Sequence, residues 1–280
     1  YLSEVRDLAS ETEAATRAYK VIGTRPIRHD GIEKVTGQAL YGADVTLSGM
    51  LYGKVLRSPH AHARIRSVDT SRAEAHPDVR AVATSADLAA LGDAPDDSAA
   101  ALSLKLVRDN VLASDRVLYR GQAVAAVAAA SPHVAEEALA LIDVDYEVLA
   151  SVTNVEAAMA PDAPVLHEHL LDDQGGGTNV AVHEQHRWGD IEAGFEQAAL
   201  VFEREFRTKT VHQGYIEPQN GTASWTPDGR LTIWCSSQGH FGIRDSASQI
   251  LGLPVSRVRV VPMEIGGGFG GKLQAYLQPV

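Results

Sequence analysis

An unbroken apolar run, Ala123-Val-Ala-Ala-Val-Ala-Ala-Ala130, is followed at once by Ser131-Pro132, and this pairing constrains the fold more than any other feature of the chain. The run is far too short for a membrane-spanning helix, which needs about 20 residues. A short Ala/Val stretch of this kind reads as a strand buried on both faces. Ser131 suits an N-cap and Pro132 the first helical position, where a missing N–H has no consequence. Val134, Ala135, Ala138, Leu141 and Ile142 then share one helical face. Ile142, Val144, Tyr146 and Val148 alternate with acidic or polar residues, as in a half-buried strand. Further strands are predicted at 51–57, 64–68 and 79–83, with a short helix at 86–91 capped by Ser85 and stopped by Gly92. Together these define a compact α+β domain over residues 25–150.

Residues 1–24 are polar and charged, and read as a linker or surface helix; 23–41 has the Gly, Pro and charges of a loop. Residues 151–180, with an Ala/Pro-rich stretch and Gln174-Gly-Gly-Gly, read as a linker. Beyond it Asp190 caps a helix to Ala199, and 200–210 reads as a strand. Pro227-Asp-Gly-Arg230 turns a hairpin between 222–226 and 231–236. A helix over 243–251 ends at Gly252 and Pro254, and a strand over 257–265 runs straight into Gly266-Gly-Gly-Phe-Gly-Gly-Lys272.

Composition removes several classes of function. A net charge of −11 argues against nucleic acid, whose phosphates call for a basic surface. One cysteine, Cys235, forbids an internal disulfide, a Cys-rich zinc site or an iron–sulfur cluster held by this chain alone. A reducing, cytoplasmic compartment follows as the expectation. The chain opens Tyr-Leu-Ser-Glu without Met or a basic-then-apolar leader, as a piece of a longer or processed product would.

The glycine run holds the strongest chemical signal. Five Gly in six positions after a strand leave backbone N–H groups exposed and suit an anionic ligand brought close to the main chain. Phe269, set among them, must wedge against the core or a flat ligand. Gly266-x-x-x-x-Gly271-Lys272 also matches most of a nucleoside-triphosphate loop, but Leu273 stands where a Ser or Thr would hold Mg²⁺. That removes the ATPase reading. Other candidates are weaker. His60/His62 and His167/His169 have strand-type metal spacing without further ligands nearby. His212 and Glu217 suit a buried polar pair that fixes a loop. Cys235 reads as a small core residue, and Trp225 and Trp234 as hairpin packing partners.

Two more segments decide the reading: His212-Gln-Gly-Tyr-Ile-Glu217-Pro218 and Ser236-Ser-Gln238-Gly-His-Phe-Gly-Ile-Arg244. With them the chain resembles the molybdopterin-binding subunit of the xanthine dehydrogenase and aldehyde oxidase family. Arg28-x-Asp30-Gly-x-x-Lys34-x-Thr-Gly37-x-Ala-x-Tyr41-x-x-Asp44, Leu56-Arg57-Ser58-Pro59-His60 and Tyr119-Arg-Gly121-Gln122 are similar to that family's earlier signatures, in family order. The resemblance implies an α/β hammerhead-like domain over 25–150, then the first part of a molybdopterin-binding α+β domain over 181–280. It implies a molybdenum–molybdopterin cofactor, the cytosine dinucleotide form included, held through its dithiolene without a protein ligand to the metal. Gln238, Gly267, Gly268, Phe269 and Gly270 would bind it, with Gln238 and Phe269 near the molybdenum. Iron–sulfur clusters and FAD would sit on partner chains or domains. The implied reaction hydroxylates an aldehyde or N-heteroaromatic carbon with water-derived oxygen. Its general-base Glu is expected beyond residue 280, so this chain alone should be inactive. Purine-oxidising members carry Glu where Leu273 stands here, which places an apolar residue in the substrate pocket and points away from xanthine. A cofactor-free scaffold that docks redox partners is the alternative from another class.

Overall fold

A computed structural model describes residues 19–89, 99–168, 170 and 175–273. The chain separates into two units at Leu40/Tyr41. In the first, the predicted loop over 23–41 contains a helix, α1 (Gly31–Thr36), ended by Gly37 at φ 74°. The carboxylate of Asp30 binds both Arg28 and, at 2.7 Å, Lys34 one turn later. That pairing and the left-handed glycine cap outweigh the loop-like composition. The expectation for 1–18 lies outside the described residues.

The second unit holds three three-stranded sheets. Its elements run β1 (Tyr52–Arg57), β2 (Ala63–Asp69), α2 (Ser71–Glu74), β3 (Val79–Thr84), α3 (Ser85–Ala89), α4 (Ala99–Val111), β4 (Arg116–Val117), β5 (Ala123–Ala129), α5 (Pro132–Leu139) and β6 (Asp143–Val148). After α6 (Val155–Ala158) and α7 (Ile191–Gln197) come β7 (Gly221–Trp225), β8 (Leu231–Cys235), α8 (His240–Ile250) and β9 (Val258–Pro262). The predicted stop of α3 at Gly92 falls outside the described residues.

The Ala/Val run becomes β5, central between β1 and β3 and antiparallel to both. Ala125, Val127 and Ala129 pack with Ala135 and Ala138 of α5, while Val124 turns to Ala63, Ala113 and Val117. Burial on both faces is why this strand carries no polar residue. Ser131 caps α5 by accepting from Val134 N at 3.2 Å, with Pro132 next in the first turn. Ser131→Ala is expected to remove about 1 kcal/mol of stability, read as an earlier urea midpoint at unchanged slope. The strand–helix–strand unit does not close within one sheet: β6 pairs with β2 in the second sheet, opposite β4.

Two expectations fail on tertiary grounds. No element is predicted at 99–111, and the chain there is the 13-residue helix α4. Its Lys105–Asp109 pair, one turn apart, supports that helix. Conversely, the strand predicted at 200–210 is not formed among the described residues. Its apolar members, Leu200, Val201, Phe202 and Phe206, are exposed, and an extended segment without a neighbour has no ladder to join.

The third sheet carries the site. β7 and β8 form the expected hairpin, and β9 lies parallel to β8, with Cys235 opposite Pro262. Leu231, Ile233 and Cys235 pack on Ile243 and Ala247 of α8. Ile250, at the end of α8, joins Leu88, Val111, Leu112 and Ala123 in a separate cluster. Trp225 pairs across the hairpin with Leu231 and Trp234 with Thr222, so the two tryptophans are not opposite one another. Among the described residues no helix is long and apolar enough to cross a membrane.

Candidate cofactor-binding site

Because β8 and β9 are parallel, their C-terminal ends release two segments side by side: Ser236-Ser237-Gln238 and the glycine loop at 266–272. Ligands of open sheets gather at such strand ends. The backbone N–H of Gln238 donates to Lys272 O at 2.8 Å, and the Ser237 hydroxyl to the same oxygen at 3.2 Å. The side chain of Gln238 turns its Oε1 into the loop, accepting from Gly270 N at 2.9 Å and Lys272 N at 3.3 Å. Those two donors fix the orientation of the amide and leave its NH₂ group facing away from the loop.

Below the loop lies a buried charge pair. Lys272, with its side chain fully buried, donates to Glu217 Oε2 at 2.7 Å and to Ser236 Oγ at 2.9 Å. Ser236 Oγ donates in turn to Glu217 Oε2 at 2.6 Å, and Gly266 N reaches that same oxygen at 2.7 Å. One carboxylate therefore ties both ends of the loop. Burial pushes the Glu217 carboxyl upward, but hydrogen bonds from Lys272, Ser236, Gly266 and Asn220 together outweigh it and hold the pKa below the ordinary value. The Tyr215 ring covers the assembly, with Lys272 Nζ 4.9 Å from its centroid. Gln219 Nε2 donates to Gly271 O at 2.7 Å.

The glycines are required for two reasons. Gly267 and Gly270 have φ of 99° and 86°, in the left-handed region that L side chains avoid. Gly266, Gly268 and Gly271 are needed for space: an added Cβ would stand 2.5 Å from Glu217 Cβ, 2.5 Å from Gln238 Oε1 and 2.8 Å from Tyr215 Cε1 respectively. Gly268 has no positive φ, so its requirement is steric alone. Phe269 is the only non-glycine residue at positive φ (48°) among those described, and its side chain is 73% exposed. The N–H groups of Gly267, Gly268 and Phe269 donate to no acceptor among the described residues. The loop thus carries three successive N–H groups without an acceptor among the described residues and an exposed aromatic, next to the Gln238 amide. Such a surface fits a flat anionic group.

The structure gathers Gln238, Gly267, Gly268, Phe269, Gly270 and Leu273 in one place, Leu273 being half exposed beside the first turn of α8. It also shows why Lys272 is no phosphate-binding lysine: its ammonium points inward to Glu217. The polar pair expected between His212 and Glu217 is replaced by Glu217–Lys272, while His212 is exposed, its Nδ1 accepting from Gly214 N and its ring tilted against Tyr215. Lys272, Ser236, Gln219 and Asn220 are supports that sequence reasoning did not find. The one available signal was a lysine closing a glycine run, where a counter-charge must come from elsewhere in the chain. His60 packs edge-on to Tyr146, and His62 Nδ1 lies 2.6 Å from Ala150 O. No cluster of three metal-ligating side chains exists among the described residues. Cys235 is buried, and burial raises its thiol to about 11, which removes it as a nucleophile at neutral pH.

Comparisons with known proteins address the domains that carry these residues. Residues 36–150 match the model of the aldehyde oxidase and xanthine dehydrogenase a/b hammerhead domain, and 172–280 that of the molybdopterin cofactor-binding domain. The chain carries the a/b hammerhead domain of aldehyde oxidases and xanthine dehydrogenases followed by a molybdopterin cofactor-binding domain, and its mixed α/β fold matches solved structures of that family. It is 40% identical over 95% of its length to the carbon monoxide dehydrogenase large chain of Afipia carboxidovorans, and covers 34% of that protein. Against the nicotinate dehydrogenase large molybdopterin subunit of Eubacterium barkeri it is 35% identical, covering 93% of this chain and 57% of the relative. Among solved structures, a Cu,Mo-CO dehydrogenase aligns with TM-score 0.74 and 37% identity over 92% of this chain and 33% of its own. Quinoline 2-oxidoreductase from Pseudomonas putida 86 gives 0.74 and 30% over 92% and 32%. The chain thus spans about a third to a little over half the length of these relatives.

Proposed function

We propose that this chain forms part of the large subunit of a molybdenum hydroxylase and that the face of residues 267–270 holds the pterin dithiolene and metal. The observation that carries this reading is the set of unpaired N–H groups at Gly267, Gly268 and Phe269 beside a Gln238 amide whose carbonyl is already committed. When bound, the cofactor supplies the two-electron redox chemistry of the hydroxylation. The chain's own residues orient it. Gln238 would hold the group through its Nε2 donor, the loop N–H groups would steady its negative charge, and Phe269 would cover one face of it. No protein atom of this chain need ligate molybdenum.

Leu273 lines the substrate pocket and offers no hydrogen bond to a purine ring, so an aldehyde or a less polar N-heteroaromatic is the substrate class. The general-base Glu and the rest of the cofactor-binding portion lie outside this chain, and electrons leave to iron–sulfur and FAD partners. The exposed apolar side chains of Trp188, Phe202, Phe206, Val211 and Ile216 are the surface that the remainder of the subunit covers. Within the chain, 25–150 and 181–280 are two domains that share a core cluster at Ile250 and are joined through 151–180, where limited proteolysis of the complete enzyme should cut first.

Elemental and pterin analysis of the complete enzyme tests the main reading. About one molybdenum and one pterin per copy of this subunit are expected. An active preparation that contains neither would remove the proposal and leave the scaffold reading.

A further inference from the structure

The signature at residues 41–44 has no part in the function proposed above, yet it lies against the support of the glycine loop. Gly42–Asp44 is a single 3₁₀ turn, closed by Tyr41 N donating to Asp44 Oδ2 at 2.8 Å and Asp44 N to Tyr41 O at 3.0 Å. Tyr41 makes a parallel bridge with Glu264, just before the loop begins. Gly42 is buried, and its φ is not positive, so no backbone conformation demands glycine there. Space demands it. A Cβ at Gly42 would stand 1.9 Å from Asn220 Oδ1, 3.1 Å from Asn220 Cγ and 3.3 Å from Ser236 N.

Asn220 is not free to swing aside. Its Nδ2 donates to Glu217 Oε1 at 3.2 Å and to Pro218 O at 2.9 Å. Its Oδ1 is buried without a hydrogen-bond partner and packs against the bare Gly42, so the two Nδ2 hydrogen bonds and this close contact together fix which way the amide faces. The two oxygens of Glu217 then divide the work. Oε1 takes Asn220, and Oε2 takes Gly266 N, Ser236 Oγ and Lys272 Nζ. A rotation of the carboxylate to follow a displaced Asn220 would move Oε2 off both ends of the loop.

We infer that Gly42 and Asn220 are positioning residues of the cofactor loop: the turn at 41–44 holds Asn220 in the orientation that aims Glu217 at Gly266 and Lys272. A turn in the hammerhead-matched part of the chain thereby sets the shape of a loop in the cofactor-binding part. The link to cofactor loading rests on the function proposed above; the mechanical coupling does not.

Amide hydrogen exchange of the complete enzyme, prepared without cofactor, reads that coupling directly. The peptide covering 265–272 is followed in the unaltered enzyme, Gly42→Ala, Asn220→Ala and the double variant, with the β5 peptide (Ala123–Ala129) as reference. Gly42→Ala should speed loop exchange by about tenfold, and Asn220→Ala by about threefold, with β5 unchanged. In the Asn220→Ala background, adding Gly42→Ala should change the loop by less than about twofold, because the atom it would strike is gone. Unchanged loop exchange in Gly42→Ala, or an equal rise in both backgrounds, overturns the inference. Should Gly42→Ala speed β5 as much as the loop, Asn220→Ala decides: a rise confined to the loop supports the coupling and no rise overturns it. Molybdenum content of the cofactor-loaded enzyme separates the two layers. It should fall in Gly42→Ala and return in the double variant to the Asn220→Ala level. Loop exchange that follows the expected pattern while metal content never changes would retain the coupling and remove the loop as the cofactor cradle.

Discussion

Gly268→Val in the complete enzyme is expected to empty the site of molybdenum and pterin while the subunit stays folded. A Cβ at Gly268 would stand 2.5 Å from Gln238 Oε1, 2.7 Å from Cδ and 2.9 Å from Cγ, before the two valine methyls are counted. Gln238 cannot retreat without giving up Gly270 N and Lys272 N, which its carbonyl oxygen holds. The overpacking, about 1–3 kcal/mol, therefore falls on the loop and on the amide proposed to face the cofactor. It spares the cores around β5 and β8. Metal analysis and the thermal midpoint, measured on the same preparation, check this. Full metal content with full activity would show the loop to be a packing turn only. Gln238→Ala acts on the same contacts from the other side: it removes the NH₂ donor and also leaves two loop amides without their acceptor.

The second large effect is at Glu217. Glu217→Gln leaves the Lys272 ammonium, its side chain fully buried, without a counter-charge, and breaking such a pair from one side costs about 3–5 kcal/mol. Glu217→Gln combined with Lys272→Met removes both charges and should recover a large part of that loss. Acidification should imitate the single change. The folded-state pKa of Glu217 is lowered from the ordinary 4.5, so its contribution is present in full above that value and is lost as pH falls through the lower, folded-state one. Urea unfolding of the unaltered enzyme and of Glu217→Gln should thus show a gap at pH 7 that narrows below pH 4.5. A gap that stays constant down to pH 3 would mean that Glu217 supports the loop by shape alone.

Sequence by itself determined the elements whose cause is local. The cap at Ser131, the hairpin turn at Pro227-Asp-Gly-Arg230, the two-face burial of 123–129 and the glycine loop after a strand each depend on neighbours within a few residues. The residues proposed here to face the cofactor, Gln238 and the 266–272 loop, stand in recognisable sequence segments. What only the tertiary structure decided is what holds those residues in place. Glu217 and Lys272 are 55 residues apart, and Gly42 meets Asn220 from a different part of the chain. No periodicity links such pairs, and a buried lysine reads like any other lysine until its partner is seen. The same reason explains the elements that were misread. Helix α4 was not predicted, and the strand-like 200–210 has no ladder to join, since a strand is defined by its neighbour as much as by its own residues.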